Sequence, residues 1–324
     1  MSESIDLTRA HRADSAREAL GDDFFGGWTK EDFALFAKYA VTDAEVRPSS
    51  VTDFLGVKTD VEFVPWAKHF AGQRLAAPPI PDDSIRAEAI EYFAVLHAFD
   101  TAPSRARFTL AELGASFGPW ICTAGVVARR LGFQKIRLIA VEASQFMHRL
   151  IRTHLENNDL RSELLPGLYA KVLCGAVWVD ESTLYFPKVT SAMNNGFQAS
   201  SGSVDTDCVG RTVESVPVQG MTLPRILGDE EQIDLLHIDI HGAEAQVVPK
   251  AIDLLNARVR RLLLGTHSRY IDGLMMKIFH EAGWVLLRER PTKFTFVPAL
   301  GGLDGMTTRD GGQYWINPRL QPAT

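Results

Sequence analysis

The sequence is short of cysteine, of positive charge and of long apolar runs, and each shortage removes a class of protein. Its three cysteines, Cys122, Cys174 and Cys208, are widely spaced and form no CxxC pair. That excludes a disulfide scaffold and a structural zinc site and points to a reducing compartment. Lysine and arginine number 34 against 40 acidic residues, a formal charge of −6. A chain built to grip nucleic acid carries the reverse balance, so no nucleic acid partner is expected, a local basic groove aside. No apolar run approaches the roughly 18 residues of a membrane span. The first twenty residues mix Asp6, Arg9, Arg12 and Asp14 with apolar side chains, so neither a membrane span nor a secretory signal is expected, and a cytoplasmic location is. Two nucleotide motifs are also missing: no G-x-G-x-x-G follows a strand, and no glycine loop ends in Lys-Ser/Thr. There is no internal repeat and no low-complexity tract.

What is present describes an ordinary globular protein, 46% hydrophobic and 23% charged, with ample material for a core. At 324 residues the chain exceeds one average domain. It divides near residue 105, into an accessory segment, 1–104, and a domain, 105–324. In the first part EDFALFAKYA predicts a short helix, DFLGVKTDVEFVPWAKHF short strand-like pieces, and AAPPIPDD a turn. SIRAEAIEYFAVLHAFDTA predicts a helix capped by Asp83 or Ser84, with Ile85, Ala89, Phe93, Leu96 and His97 on its inner face. His97 is expected to be packed there rather than functional. This segment can cover a substrate mouth or form a homo-oligomer surface, and both readings stay open.

From Phe108 to Trp120 the chain reads FTLAELGASFGPW, a strand ending at Glu112, a Gly114/Gly118 turn, and Pro119 opening a helix that stops at Gly132. Such a loop lets backbone approach a small ligand closely while the carboxylate reaches one polar end of it. A second strand, KIRLIAVEA, ends at Glu142, 24 residues after Gly118. A carboxylate there accepts hydrogen bonds from ribose hydroxyls. S-adenosylmethionine (SAM) has an amino-acid end and a ribose but no phosphate, so it asks less of a helix N-terminus than NAD does. Ser144 is a cap for the next helix, which ends in Asn157-Asn158.

The alternation continues with YAKVLCGAVWV, IDLLHIDI, RRLLLGTH and GWVLLRE as third to sixth strands and QYWIN as a seventh. Near-continuous apolar strands between amphipathic helices predict an α/β fold around a parallel sheet buried on both faces. In IDLLHIDIHGAE, Asp239 falls at the ligand-binding rim, with His241 beyond it and Gly242 in the sharp turn. Strand alternation puts Leu235, His237 and Asp239 on one side, and His237 reads as a buried, satisfied side chain. Glu244 reads as an acidic residue favouring a helix dipole. GTHSR brings His267 to the same rim at the end of the fifth strand. Asp239, His241, Glu244 and His267 are all metal-ligand types, but their spacing matches no established signature, and no metal is expected. The 190–212 insertion is rich in Ser, Asn and Gly. It is either a lid or binding loop, with Asn194, Asn195 and Gln198 able to bind a polyhydroxylated substrate, or a solvated insertion without a role.

The order ELGASFGPW, AVEAS, HLENNDL, LLHIDIHGAEAQVV and LLLGTHSR resembles the FkbM-type family of SAM-dependent methyltransferases, over about residues 105 to 290. Two departures stand out: Ser116 replaces a usual glycine, and His241 stands where glutamine or glutamate is common. The resemblance implies the class I methyltransferase fold, a Rossmann-like, seven-stranded, mostly parallel sheet with the last strand inserted antiparallel between the fifth and sixth. It implies S-adenosyl-L-methionine as cofactor, held by Glu112, Gly114, Ser116, Gly118, Trp120, Glu142, Ala143 and Asp239. It further implies O-methylation of a hydroxyl on a sugar or other small polar metabolite. Methyl transfer needs alignment and the removal of one proton; His267 is the expected base, His241 a substrate contact, and Asp239 an orienter or cofactor anchor. Two other classes compete: a non-catalytic SAM-binding or assembly protein, and an NAD-linked oxidoreductase, which the missing G-x-G-x-x-G disfavours.

Overall fold

Apolar strands can be buried on both faces only between layers of helix, and the second part of the chain folds that way. The computed structural model describes residues 28–193, 196–203, 205, 212–297 and 306–321. Its central sheet has seven strands: β1 (Arg107–Leu113), β2 (Lys135–Glu142), β3 (Leu168–Cys174), β4 (Leu235–Ile238), β5 (Arg261–Thr266), β6 (Val285–Arg290) and β7 (Gly311–Ile316). They lie in the order β3-β2-β1-β4-β5-β7-β6. β1 to β5 run parallel, and β7 is antiparallel to both its neighbours. This is the class I methyltransferase arrangement, with the seventh strand inserted as expected. Chain order reverses at β1, so the crevice for a ligand opens between the carboxyl ends of β1 and β4.

Helices α1 (Lys30–Tyr39), α2 (Ala89–Asp100), α3 (Pro119–Arg130), α4 (Gln145–Asn157), α5 (Glu244–Arg258) and α6 (Arg269–Glu281) cover the sheet, with a single turn at Leu223–Leu227. Pro119 opens α3 and the Ser144 hydroxyl accepts the Met147 N–H at the start of α4, both as predicted. The third strand departs from expectation. It ends at Cys174, and Ala176–Val177 joins Thr183–Pro187 and Ser215–Met221 in a separate three-stranded sheet. Gly175 makes the break possible, because a Cβ there would lie 2.7 Å from the Gln219 carbonyl oxygen.

The accessory segment shares its core with the sheet. Phe36, Phe54, Tyr92, Phe93 and Phe99 belong to one buried cluster with Phe108, Leu110, Trp120 and Leu138. Phe99 stacks on Phe108 at 3.9 Å between ring centroids. α2 is apolar on nearly every side, as a helix enclosed on all faces must be. It starts at Ala89, four residues later than capping by Ser84 predicts and five later than capping by Asp83, and Glu88 and Glu91 form its capping box. The reason is tertiary. Arg86 is drawn into a buried pair with Asp53 at 2.7 Å and onto the Tyr92 hydroxyl at 3.0 Å. Asp83 therefore takes the N–H groups of Ile85, Arg86 and Ala87 in a turn outside the helix. His97 is packed as expected, stacked on Phe93 with Nδ1 3.0 Å from the Tyr314 hydroxyl. Burial lowers its pKa to about 4.

Because Phe99 ties α2 to β1, Phe99→Ala should destabilise the whole protein by about 3–5 kcal/mol. Urea unfolding followed by tryptophan fluorescence and by circular dichroism should stay one coincident transition at lower midpoint. Separate transitions would mean that the two parts fold independently.

Candidate functional site

The site begins where β1 runs into glycine. Gly114 and Gly118 have φ of 80° and 74°, and Ser116 between them has φ 50°. The left-handed backbone at Ser116 explains why glycine is usual there, since only glycine enters that region without strain. Gly114 meets a harder limit: a Cβ would lie 1.7 Å from the Asp239 carbonyl oxygen. The loop is thus pressed against the end of β4, where the Asp239 N–H donates to Leu113 O at 2.8 Å.

Glu112 is almost fully buried, and its two oxygens accept the N–H groups of Trp120 (3.2 Å) and Ile121 (2.8 Å). The carboxylate therefore pins the N-terminus of α3 to β1. Burial pushes its pKa up to about 8 in spite of those bonds. Glu142 accepts from Ser116 N at 2.8 Å and Ser144 N at 2.7 Å, and burial raises it to about 7. A cleft of about 330 Å³ opens over these residues, lined by Glu112, Gly114, Ser116, Trp120, Glu142 and Ala143 among others. Gly118, at the foot of α3, packs against Ile151 and Ile121 instead.

At the other wall the backbone turns sharply after β4, with φ 52° at His241 and 107° at Gly242. Glu244 holds this turn. It is fully buried, and it accepts the Ile240 N–H at 2.8 Å and the Gly242 N–H at 2.7 Å. Its role is larger than the predicted helix-dipole contact, because Oε1 also lies 3.2 Å from His267 Nδ1. On the other side of that ring, Nε2 is 3.0 Å from Asp239 Oδ1. His241 stacks on His267 at 4.2 Å, with its Nδ1 3.5 Å from the same Asp239 oxygen. Gly265 in β5 leaves the Asp239 carboxylate room to reach across, since a Cβ there would be 3.1 Å from Asp239 Cγ.

Although burial disfavours charge, Glu244 and Asp239 together raise His267 well above the usual imidazole range. Burial and then the charge of His267 lower His241. Against burial, His267 and then His241 hold Asp239 below the usual carboxylate range. Both ring nitrogens of His267 face carboxylates, so the expectation of His267 as a free base does not fit this geometry. His237 is buried as predicted, 4% exposed, but it is not satisfied. Its Nδ1 has no hydrogen-bond partner among the described residues, its ring stands edge-on to Trp120 at 6.3 Å, and burial lowers it to about 4.

Several site residues have no signal in the sequence. Glu91 from α2, and Asp310 just before β7, line the cleft. With His237, Asp239, His267, Arg290 and Arg309 they also line a second cavity of about 480 Å³. Burial, and then the charge of Asp239, raise Glu91 well above the usual carboxylate range. Asn194 and Asn195 lie outside the described residues. Gln198 lies on the Gly242 turn, and a Cβ on Gly196 would meet His241 Nε2 at 2.9 Å. Phe197 and Ala199 line the cleft, so part of the insertion borders the site.

The methyltransferase FkbM domain model matches residues 112–283, more than half of the chain. A protein of Jannaschia sp. (strain CCS1) named "Putative methyltransferase" is 29% identical over 271 residues, 78% of this chain and 88% of that one. Among solved structures, methyltransferase FkbM from Methylobacillus flagellatus KT is 10% identical with a TM-score of 0.38, over 68% of this chain and 53% of that one. The C-terminal domain of precorrin-6Y C5,15-methyltransferase from Rhodobacter capsulatus is 13% identical with a TM-score of 0.39, over 74% and 97%. Among the described residues no helix is long and apolar enough to cross a membrane.

Gly114→Ala should cost at least about 2 kcal/mol, from left-handed strain and the forced retreat of β4. Thermal melting checks this. An unchanged midpoint would show that the loop is not seated on Asp239.

Proposed function

The chain belongs to the methyltransferase FkbM family, and we propose that it moves the methyl group of SAM onto a hydroxyl oxygen of a sugar or similar small polar metabolite. The observation that carries this reading is a shared wall. Glu91, His237 and Asp239 face both the cleft over the β1 loop and the polar cavity beyond it, so a donor in the first adjoins an acceptor in the second.

The residues of the cleft fit SAM. Ser116 Oγ and His237 Nδ1 are buried polar atoms without a hydrogen-bond partner among the described residues, and both residues line it. Glu142 accepts two backbone N–H groups and retains lone pairs for ribose hydroxyls. NAD fits worse, because the amides of Trp120 and Ile121 that would meet a pyrophosphate at the start of α3 are already taken by Glu112. When bound, SAM supplies a methyl carbon already activated by its sulfonium. The protein is left to align two molecules, exclude water and receive a proton.

Glu142 would hold the ribose, with Trp120 and Ala143 walling the cleft. Asp239, His241 and His267 would take the acceptor hydroxyl at the common wall, His267 acting through the Asp239 carboxylate that its Nε2 faces. Arg290, Arg309 and Asp310 give the second cavity hydrogen-bonding groups suited to a polyhydroxylated acceptor. The test is incubation with SAM and a panel of sugars and polyols, following S-adenosylhomocysteine release and the new methoxy carbon by NMR. Cofactor binding with no turnover on any hydroxylated acceptor would favour the non-catalytic class, and methylation at nitrogen or carbon would overturn the O-methyl reading.

Two substitutions separate the roles. Glu142→Ala should weaken S-adenosylhomocysteine binding by about 1–3 kcal/mol in calorimetry, with no heat from NAD in either protein. His267→Ala should lower kcat by roughly 10²-fold, because the Asp239 carboxylate that its Nε2 faces is left unpositioned, while cofactor affinity changes little. Near-normal turnover in that variant would remove His267 from the reaction.

A further inference from the structure

Residues from two strand ends converge where no spacing in the sequence announces it. Asp239, His241 and His267 each offer one ligand atom, and these atoms all lie within 4.8 Å of one another. Asp239 Oδ1 is 3.0 Å from His267 Nε2 and 3.5 Å from His241 Nδ1. Nitrogen and oxygen ligands about 2.0–2.2 Å from one ion stand roughly 3–3.5 Å apart, so the two separations from Asp239 match edges of a coordination polyhedron, while the ligand atoms of the two stacked histidines lie within 4.8 Å of each other.

The surroundings point the same way. A metal-bound histidine ordinarily gives its second ring N–H to a carboxylate, which fixes the ring and strengthens the ligand. His267 has a carboxylate in that place, Glu244, fully buried with Oε1 3.2 Å from Nδ1, at ion-pair distance but outside hydrogen-bond geometry. The same carboxylate holds the left-handed turn that points His241 at Asp239. Left-handed backbone at a residue other than glycine costs energy and persists where function needs a side chain aimed. Glu91 and Asp310 line the same cleft as Asp239, so a divalent cation would also relieve an excess of carboxylate.

We propose that Asp239, His241 and His267 bind one divalent transition-metal ion at the wall between the two cavities. Two imidazoles and one carboxylate suit zinc, manganese or iron(II), whereas magnesium and calcium prefer all-oxygen sets. Three protein ligands leave open positions, and two of the three, Asp239 and His267, line the second cavity, where an acceptor would enter. An acceptor hydroxyl bound there loses its proton to water near neutral pH, because the ion stabilises the oxyanion. This deepens the methyltransferase reading and rests on it for the acceptor's identity, but the ion site stands on its own geometry.

The test titrates Zn²⁺, Mn²⁺ and Mg²⁺ by calorimetry into the full-length protein stripped with chelator, without cofactor. One equivalent of Zn²⁺ should bind at least about 100-fold more tightly than Mg²⁺. His241→Ala, whose side chain sits in a loop, should weaken Zn²⁺ by at least about tenfold, and Glu244→Gln by about 10–100-fold. Circular dichroism and melting verify that each variant is folded, and Asp239→Asn is a second ligand substitution should either fail to fold. No Zn²⁺ or Mn²⁺ binding by the wild-type protein, or Zn²⁺ binding that folded His241→Ala and Asp239→Asn leave unchanged, overturns the proposal. S-adenosylhomocysteine is titrated separately: its binding without Zn²⁺ binding sinks the ion alone, and Zn²⁺ binding without it sinks the cofactor reading alone.

Discussion

Everything in this site depends on how closely the β1 loop approaches the end of β4. Gly114 has no side chain, and the Asp239 carbonyl fills the space one would occupy. That contact brings the glycine turn and Glu142 on one side within reach of Asp239, His241 and His267 on the other. A methyl donor and its acceptor must meet at a few ångströms in line, which is worth far more to the rate than any single polar group. A larger residue at 114 would push the two walls apart.

Buried carboxylates do the positioning. Glu112 fastens α3 to β1, Glu142 ties the Ser116 backbone to β2, and Glu244 braces both the His241 turn and the His267 ring. Each is desolvated, and each has backbone amides or an imidazole facing it, as a buried polar group must. Rigid side chains held by such bonds suit a reaction in which the protein contributes alignment. The accessory segment adds to this frame from outside the family match. α2 packs into the core of the sheet and delivers Glu91 to the shared wall, so residues well before the matched region 112–283 help build the site.

Much of this was legible in the chain. The strands, the helices and their order follow from apolar periodicity, proline and glycine punctuation and caps such as Ser144, all of which act within a few residues. Glu112 and Glu142 could be placed at strand ends for the same reason, and Asp239 and His267 at the rim. What local signals cannot carry is where a side chain turns once other segments arrive. Arg86 leaves a helical stretch because Asp53 waits for it, and β3 stops at Cys174 because Gln219 crowds Gly175. His237 reads as a satisfied core residue, yet among the described residues one of its nitrogens, beside Trp120, finds no partner.

The sequence by itself determined the alternation of β and α, the class of sheet and the residue types at its carboxyl rim, because these rest on short-range periodicity. Only the tertiary structure decided that Glu244 and His267, 23 positions apart, would face each other, and that Asp239 would sit between two histidines. It also decided that Glu91 would reach the cleft from a helix before the first strand of the sheet. Those meetings depend on register between parallel strands and on the burial of charge, which no local pattern encodes.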